Sequence, residues 1–268
     1  MYRWCVRLIV FLSIPFILVA CSGLFGRSAD INVKDSYLPG VEPVNGPLYR
    51  SKIHVDLASA YYERGKYGIA LEEIGRAIKA RSNYAPAYSL QGVVYAHLGE
   101  WTKARRSFVV AFRNDPRNPD IQNNYGWFLC QTDHPQDGLR FIKLALQNPL
   151  YETPDKAYSN MAYCNLELHE YSAALKAAGR AILLNRDNVQ AYFYRGRAYW
   201  YLADYGRAQA DVKKVLGHYQ LITPKTLQLA IDVNRKLGSE GGKNDVYVNV
   251  LLTRFPDSQE AKAYVQQS

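Results

Sequence analysis

The chain has 268 residues, with 33 Lys and Arg against 24 Asp and Glu, a formal net charge of +9, and 48% hydrophobic residues. That apolar content, with 18 Gly and 12 Pro, excludes a disordered or collagen-like chain, and four Cys in this length exclude a small disulfide scaffold. The unusual count is Tyr, at 22.

Residues 1–7 carry Arg3 and Arg7 and no acid, and residues 8–20 (LIVFLSIPFILVA) form an uncharged apolar run. Thirteen residues rising ~1.5 Å each make roughly 20 Å of helix, short of the ~30 Å hydrocarbon core, and Pro15 interrupts them. A basic start, a short apolar run and a small-residue end predict a secretory signal over 1–20 rather than a membrane span. Its end, Leu18-Val19-Ala20-Cys21, resembles the bacterial lipobox. The resemblance implies that Cys21 takes the lipid and becomes the mature N-terminus. Ser22, in place of an inner-membrane retention Asp, is compatible with transfer to the outer membrane. The chain is then anchored to a membrane by acyl groups, at ~0.8 kcal/mol per buried CH₂. Removing residues 1–20 leaves 31 basic against 24 acidic residues, a charge of +7.

Residues 21–50 lack helical periodicity and hold Pro39, Gly40, Pro43, Gly46 and Pro47, which predicts a flexible tether. A coil of this length spans roughly 30 Å.

From Ser51 the sequence repeats, in blocks 51–84, 85–118, 119–154, 155–188 and 189–222, each reading as two amphipathic helices. Block 85–118 carries Tyr88, Gly92, Tyr95, Ala104, Phe108, Ala111 and Pro116, a spacing that resembles the tetratricopeptide pattern. Small residues at Gly92 and Ala104 let paired helices approach, Tyr95 and Phe108 fill the space between them, and Pro116 ends the second helix. The pattern recurs with erosion, for instance as Tyr125, Gly126, Gly138 and Ala145, or as Tyr192, Gly196, Tyr199 and Ala208. A degenerate unit follows over 223–256, with helices at 224–237 and 245–255, and then a cap at 257–268. The predicted fold is all-α: a right-handed tetratricopeptide-repeat superhelix of about six helix pairs, closed by a C-terminal capping helix. The Tyr excess belongs to the repeat.

Enzyme signatures are missing: the sequence has no G-x-G-x-x-G, P-loop, H-E-x-x-H or G-x-S-x-G, so no catalytic residue and no cofactor is expected. Cys130-x₃-His134 and Cys164-x₄-His169 differ in spacing and are looser than usual zinc ligand pairs, so no metal is expected either. Cys130 and Cys164 fall at positions 12 and 10 of the first helix in adjacent repeats. Those helices pack ~8–10 Å apart, so the thiols can meet as a disulfide in an oxidising compartment or remain two buried free thiols. Basic residues such as Arg105, Arg106, Lys213 and Lys214 fall on outer helices, which favours a solvated face and argues against nucleic acid.

In such solenoids the concave face is lined by positions 2, 5, 9, 12 and 13 of each first helix. The expected partner-binding groove is Val55, Ser59, Tyr62, Val93, His97, Asn123, Trp127, Tyr163, Phe193, Arg197, Trp200 and Tyr201. Aromatic and Arg side chains are those that binding hot spots favour, and a helix or extended segment fits such a groove. A small-molecule substrate is not expected. Some of these residues, Trp127 above all, also fit an inter-repeat core. Chaperone-binding relatives need Lys and Asn where this chain has Val55 and Ser59, which argues against that ligand class.

The segment Asn123-Asn124-Tyr125-Gly126-Trp127-Phe128-Leu129-Cys130 is similar to the third repeat of the PilF/PilW type IV pilus biogenesis lipoproteins, the pilotins of the pilus secretin. The lipobox, Asn160 and Cys164, and the closing Leu252-x₂-Phe255-Pro256-x-Ser258 segment extend the resemblance over most of the mature chain, although Asn165 stands where the family carries Tyr. The resemblance implies an outer-membrane adaptor that binds the secretin subunit and promotes its localisation and multimerisation. The alternative is a general envelope scaffold that organises peptidoglycan enzymes or barrel assembly.

Overall fold

The computed structural model describes residues 45–238 and 243–267. Proline sits in the first turn of α1 (Pro47–Glu63), α3 (Ala85–His97), α5 (Pro119–Gln131), α6 (Pro135–Leu146), α7 (Pro154–Glu167) and α11 (Pro224–Lys236). Its fixed φ and missing N–H suit a helix start, where that donor has no intrahelical partner. Their antiparallel companions are α2 (Tyr67–Ala80), α4 (Trp101–Asn114), α8 (Tyr171–Leu184) and α12 (Lys243–Arg254), while α9 (Val189–Tyr201) pairs with α10 (Tyr205–Leu216). A single 3₁₀ turn, Tyr219–Leu221, leads into α11, and α13 (Gln259–Gln267) follows the last pair.

Within each pair the first helix ends on a residue of positive φ: Gly65, Gly99, Asp133, His169, Ala203 and Gly238, at 58–75°. In the first five, the next N–H reaches back to a carbonyl five residues earlier, as in Lys66 to Tyr61 at 2.9 Å and Glu170 to Asn165 at 2.8 Å. This is the Schellman closure, which satisfies an orphan carbonyl and reverses the chain. A left-handed residue every 34–36 positions is thus the structural mark of the repeat.

In the first five pairs the second helix carries the stronger amphipathic pattern, and the pairs close on small residues. Ala58, Ala70, Ala77, Ala104, Ala111, Ala145, Ala174, Ala181 and Ala208 are fully buried. A Cβ added to Gly92 would lie 2.8 Å from the Phe108 ring, and one on Gly126 would lie 2.7 Å from the Gly138 carbonyl oxygen. Backbone contact that close admits glycine alone. Larger side chains fill the gaps between pairs: Phe108 and Phe128 lie 5.0 Å apart between ring centres, with Tyr125 stacked on Phe108 at 5.9 Å. At the far end, Leu227, Ile231, Leu251 and Ala261 bring α11, α12 and α13 into one cluster. The architecture is an all-α, tetratricopeptide-like superhelix of about six helix pairs with a C-terminal helical cap.

α1 begins at Pro47, inside the stretch expected to be tether. Pro47 starts the helix, and the Ser51 hydroxyl, buried in its second turn, donates to the Ala77 carbonyl at 2.9 Å, docking the start of α1 on the end of α2. The expected export signal, Cys21 and the tether up to residue 44 lie outside the described residues. Among the described residues, no helix is long and apolar enough to cross a membrane.

Candidate protein-docking groove

The first helices of successive pairs, α3, α5, α7, α9 and α11, pack side by side as one layer. On it lies a groove of about 960 Å³ whose walls run from Tyr67 at the start of α2 to Glu260 of α13. Four of the twelve residues expected there line it: His97, Tyr163, Phe193 and Arg197.

At one end His97 Nε2 meets the Tyr67 hydroxyl at 2.6 Å, with the two rings 4.7 Å apart and Tyr62 edge-on to His97 at 5.8 Å. Burial, and then the neighbouring Tyr67, raises the Tyr62 pKa. In the centre, Tyr163 of α7 packs against Tyr194 of α9 with ring centres 5.4 Å apart. Burial pushes the Tyr194 hydroxyl up to about 12 against the opposing effect of its Gln190 hydrogen bond. Burial, reinforced by the Glu167 carboxylate, raises Tyr163 well above the usual phenol range. Arg197 stands beside this pair, 3.8 Å from Glu167 and with its guanidinium 6.0 Å from the Phe193 ring centre.

Cap chemistry fixes how α7 and α9 sit together. The Asn188 side chain caps α9 by accepting from the Ala191 N–H at 3.0 Å, while its amide donates to the Asp155 carboxylate at 3.1 Å. Asn185 donates to the same carboxylate at 3.0 Å. An Asn cap satisfies an orphan helix donor; here its remaining donors also join the N-terminus of the neighbouring inner helix.

The other eight expected residues do not line the groove. Asn123 is 3% exposed and accepts from the Asn160 amide at 3.1 Å, in a seam between α5 and α7. Trp127 and Val93 are half-buried against the Phe108–Phe128 cluster, and Val55 against the core of the first pair. Ser59 is half-buried. Tyr62 supports His97 and Tyr67 from behind. Trp200 packs on Tyr205 at 5.1 Å, and Tyr201 stacks on Tyr171 at 4.5 Å with an interplanar angle of 11°. The first contact lies within the α9–α10 pair, and the second joins α8 to α9 of the next pair.

Sequence reasoning missed Tyr67, Gln131, Tyr194, Lys225 and Glu260, all of which line the groove. Gln131 is position 13 of its repeat, so the rule that selected His97 would have found it. Tyr67 belongs to a second helix, and Lys225 and Glu260 to the degenerate end, where the period gives no register.

Beneath the groove, Cys130 of α5 and Cys164 of α7 form a disulfide with Cα atoms 5.3 Å apart, both cysteines almost fully buried. Gly138 makes room for it, since a Cβ there would collide with Cys130 Sγ. The thiols are therefore not metal ligands with His134 and His169. Among the described residues no group of three or more His, Cys, Asp or Glu is placed to hold a metal ion. Aromatic faces, amide groups and the Arg197 guanidinium share the wall of the groove.

The tetratricopeptide-repeat family profile matches residues 55–119. The crystal structure of PilW, a widely conserved type IV pilus biogenesis factor, superposes with a TM-score of 0.66 at 26% identity, covering 80% of this chain and 98% of that one. The PilF structure from Pseudomonas aeruginosa superposes with a TM-score of 0.61 at 20% identity, covering 82% of this chain and 98% of that one, a likeness of fold. In sequence, the P. aeruginosa type IV pilus assembly protein PilF is 24% identical over 134 residues, 50% of this chain and 53% of PilF. Mouse peptidyl-prolyl cis-trans isomerase FKBP4 is 29% identical over 109 residues, 41% of this chain. The chain spans about half the length of the former and 24% of the latter. Residues 55–119 thus match the tetratricopeptide-repeat profile, and the fold is similar to those of PilW and PilF at low sequence identity.

Proposed function

We propose that the protein is a lipid-anchored adaptor of the outer membrane that docks the type IV pilus secretin subunit in its concave groove and promotes secretin localisation and multimerisation. The observation that carries this reading is the aromatic groove of about 960 Å³ in a fold that matches PilW over 98% of that chain. Adaptor activity needs two attachments. The lipobox-like Leu18–Cys21 sequence supplies one, through acylation of Cys21, and the groove supplies the other. Linked by a tether reaching roughly 30 Å, the two raise the client's effective concentration at the bilayer without a new contact. The relevant experiment deletes the gene and follows secretin by denaturing and native gels of membrane fractions. Loss of multimers, restored by the wild-type gene but not by Cys21→Ala, is the expected result. Unchanged multimers in the outer membrane would exclude the reading, and recovery of peptidoglycan hydrolases without secretin in a pull-down would favour a general scaffold.

A further inference from the structure

Two arginines stand two residues apart on α9 with different surroundings. Arg195 donates from Nε and Nη2 to both oxygens of the buried Asp211, at 2.8 and 2.7 Å. Arg197 turns to the groove, 24% exposed, and its contact with Glu167 is 3.8 Å, beyond the 2.7–3.2 Å of an N–H···O bond. Of the carboxylates that line the groove, Asp155, Asp187 and Glu260, the first is engaged by the Asn185 and Asn188 amides. Arg197 thus holds five N–H donors on a half-desolvated wall without a close acceptor among the described residues, an arrangement that a carboxylate from outside completes. Aromatic surface from Tyr163 and Phe193 lies beside it.

We infer that Arg197 is the specificity-determining residue of the groove, forking onto the side-chain carboxylate of an Asp or Glu in the bound segment while a neighbouring apolar residue packs on Tyr163 and Phe193. The inference rests on the docking reading above and names the chemistry of what is docked. A planar, bidentate pair distinguishes guanidinium from ammonium, so Lys is not an equivalent replacement.

The test measures binding of the mature full chain to the recombinant periplasmic region of the secretin subunit, by calorimetry at several salt concentrations. Arg197→Gln is expected to weaken binding about tenfold or more and to flatten its salt dependence, with Arg197→Lys intermediate. Arg197→Glu is expected to abolish binding, and reversing the partner's matching carboxylate to Arg is expected to restore it. Thermal unfolding of each variant, expected to match the unaltered chain, separates lost contact from lost fold. Unaltered affinity and salt dependence in Arg197→Gln overturn the Arg197 assignment alone. Absence of binding by the unaltered chain overturns the docking reading, and the assignment with it.

Discussion

The interior between α5, α7, α9 and α10 and the groove that faces away from it are built from the same helices but differ in how completely their polar groups are paired. Inside, Cys130 and Cys164 are joined, Asn123 accepts from Asn160, and Asp211 receives both arms of Arg195. On the groove side, Arg197 and Glu167 stand 3.8 Å apart. Low dielectric makes an unpaired buried group expensive, so most interior polar groups are paired; the buried Tyr151 and Ser159 hydroxyls are exceptions. Arg195 and Arg197 are exposed to a similar degree, 26% and 24%, so the two differ in partner geometry and not in burial. The difference separates what holds the scaffold from what remains for a partner.

The comparison can be broken by substitutions on either side. Cys130→Ser with Cys164→Ser removes a link closing 34 residues of sequence and should lower stability by roughly 3–4 kcal/mol, read from urea unfolding. Arg195→Ala leaves the Asp211 carboxylate, 6% exposed, without its counter-ion and should lower stability by about 2–3 kcal/mol in the same assay. At the end of α9, Ala203 adopts φ 58°, where its Cβ crowds the backbone; Ala203→Gly should raise stability by about 0.5–1 kcal/mol. Arg197→Gln should change it by less than about 0.5 kcal/mol, because the ion pair is long and partly exposed. A loss at Arg197 as large as that at Arg195 would erase the distinction between the two faces.

Much of the scaffold was legible because its constraints are periodic. Gly126 and Gly138 lie where backbones touch, Gly92 lies against the Phe108 ring, Phe108 and Tyr125 lie where pairs meet, and prolines mark the helix starts. The groove was legible in part. The position rule selects helix faces, but whether such a face meets solvent depends on the neighbouring repeat. Asn123 and Trp127 sit at eligible positions and still turn into inter-repeat packing, Asn123 against Asn160 of α7 and Trp127 in the cluster of Phe108 and Phe128. Tyr194 and Lys225 enter the groove through superhelical curvature and the aperiodic last unit, neither of which a 34-residue pattern encodes. The contrast between Arg195 and Arg197 was equally hidden: it requires knowing that Asp211, sixteen positions away, faces the first and not the second.

The central claim, that the concave groove receives the secretin subunit, is tested most directly by photo-crosslinking in living cells. A benzoylphenylalanine in place of Gln190 on the groove wall should capture secretin, whereas one in place of Arg106, exposed on α4, should not. Capture from Arg106 and not from Gln190, or capture of secretin from neither position, would contradict it.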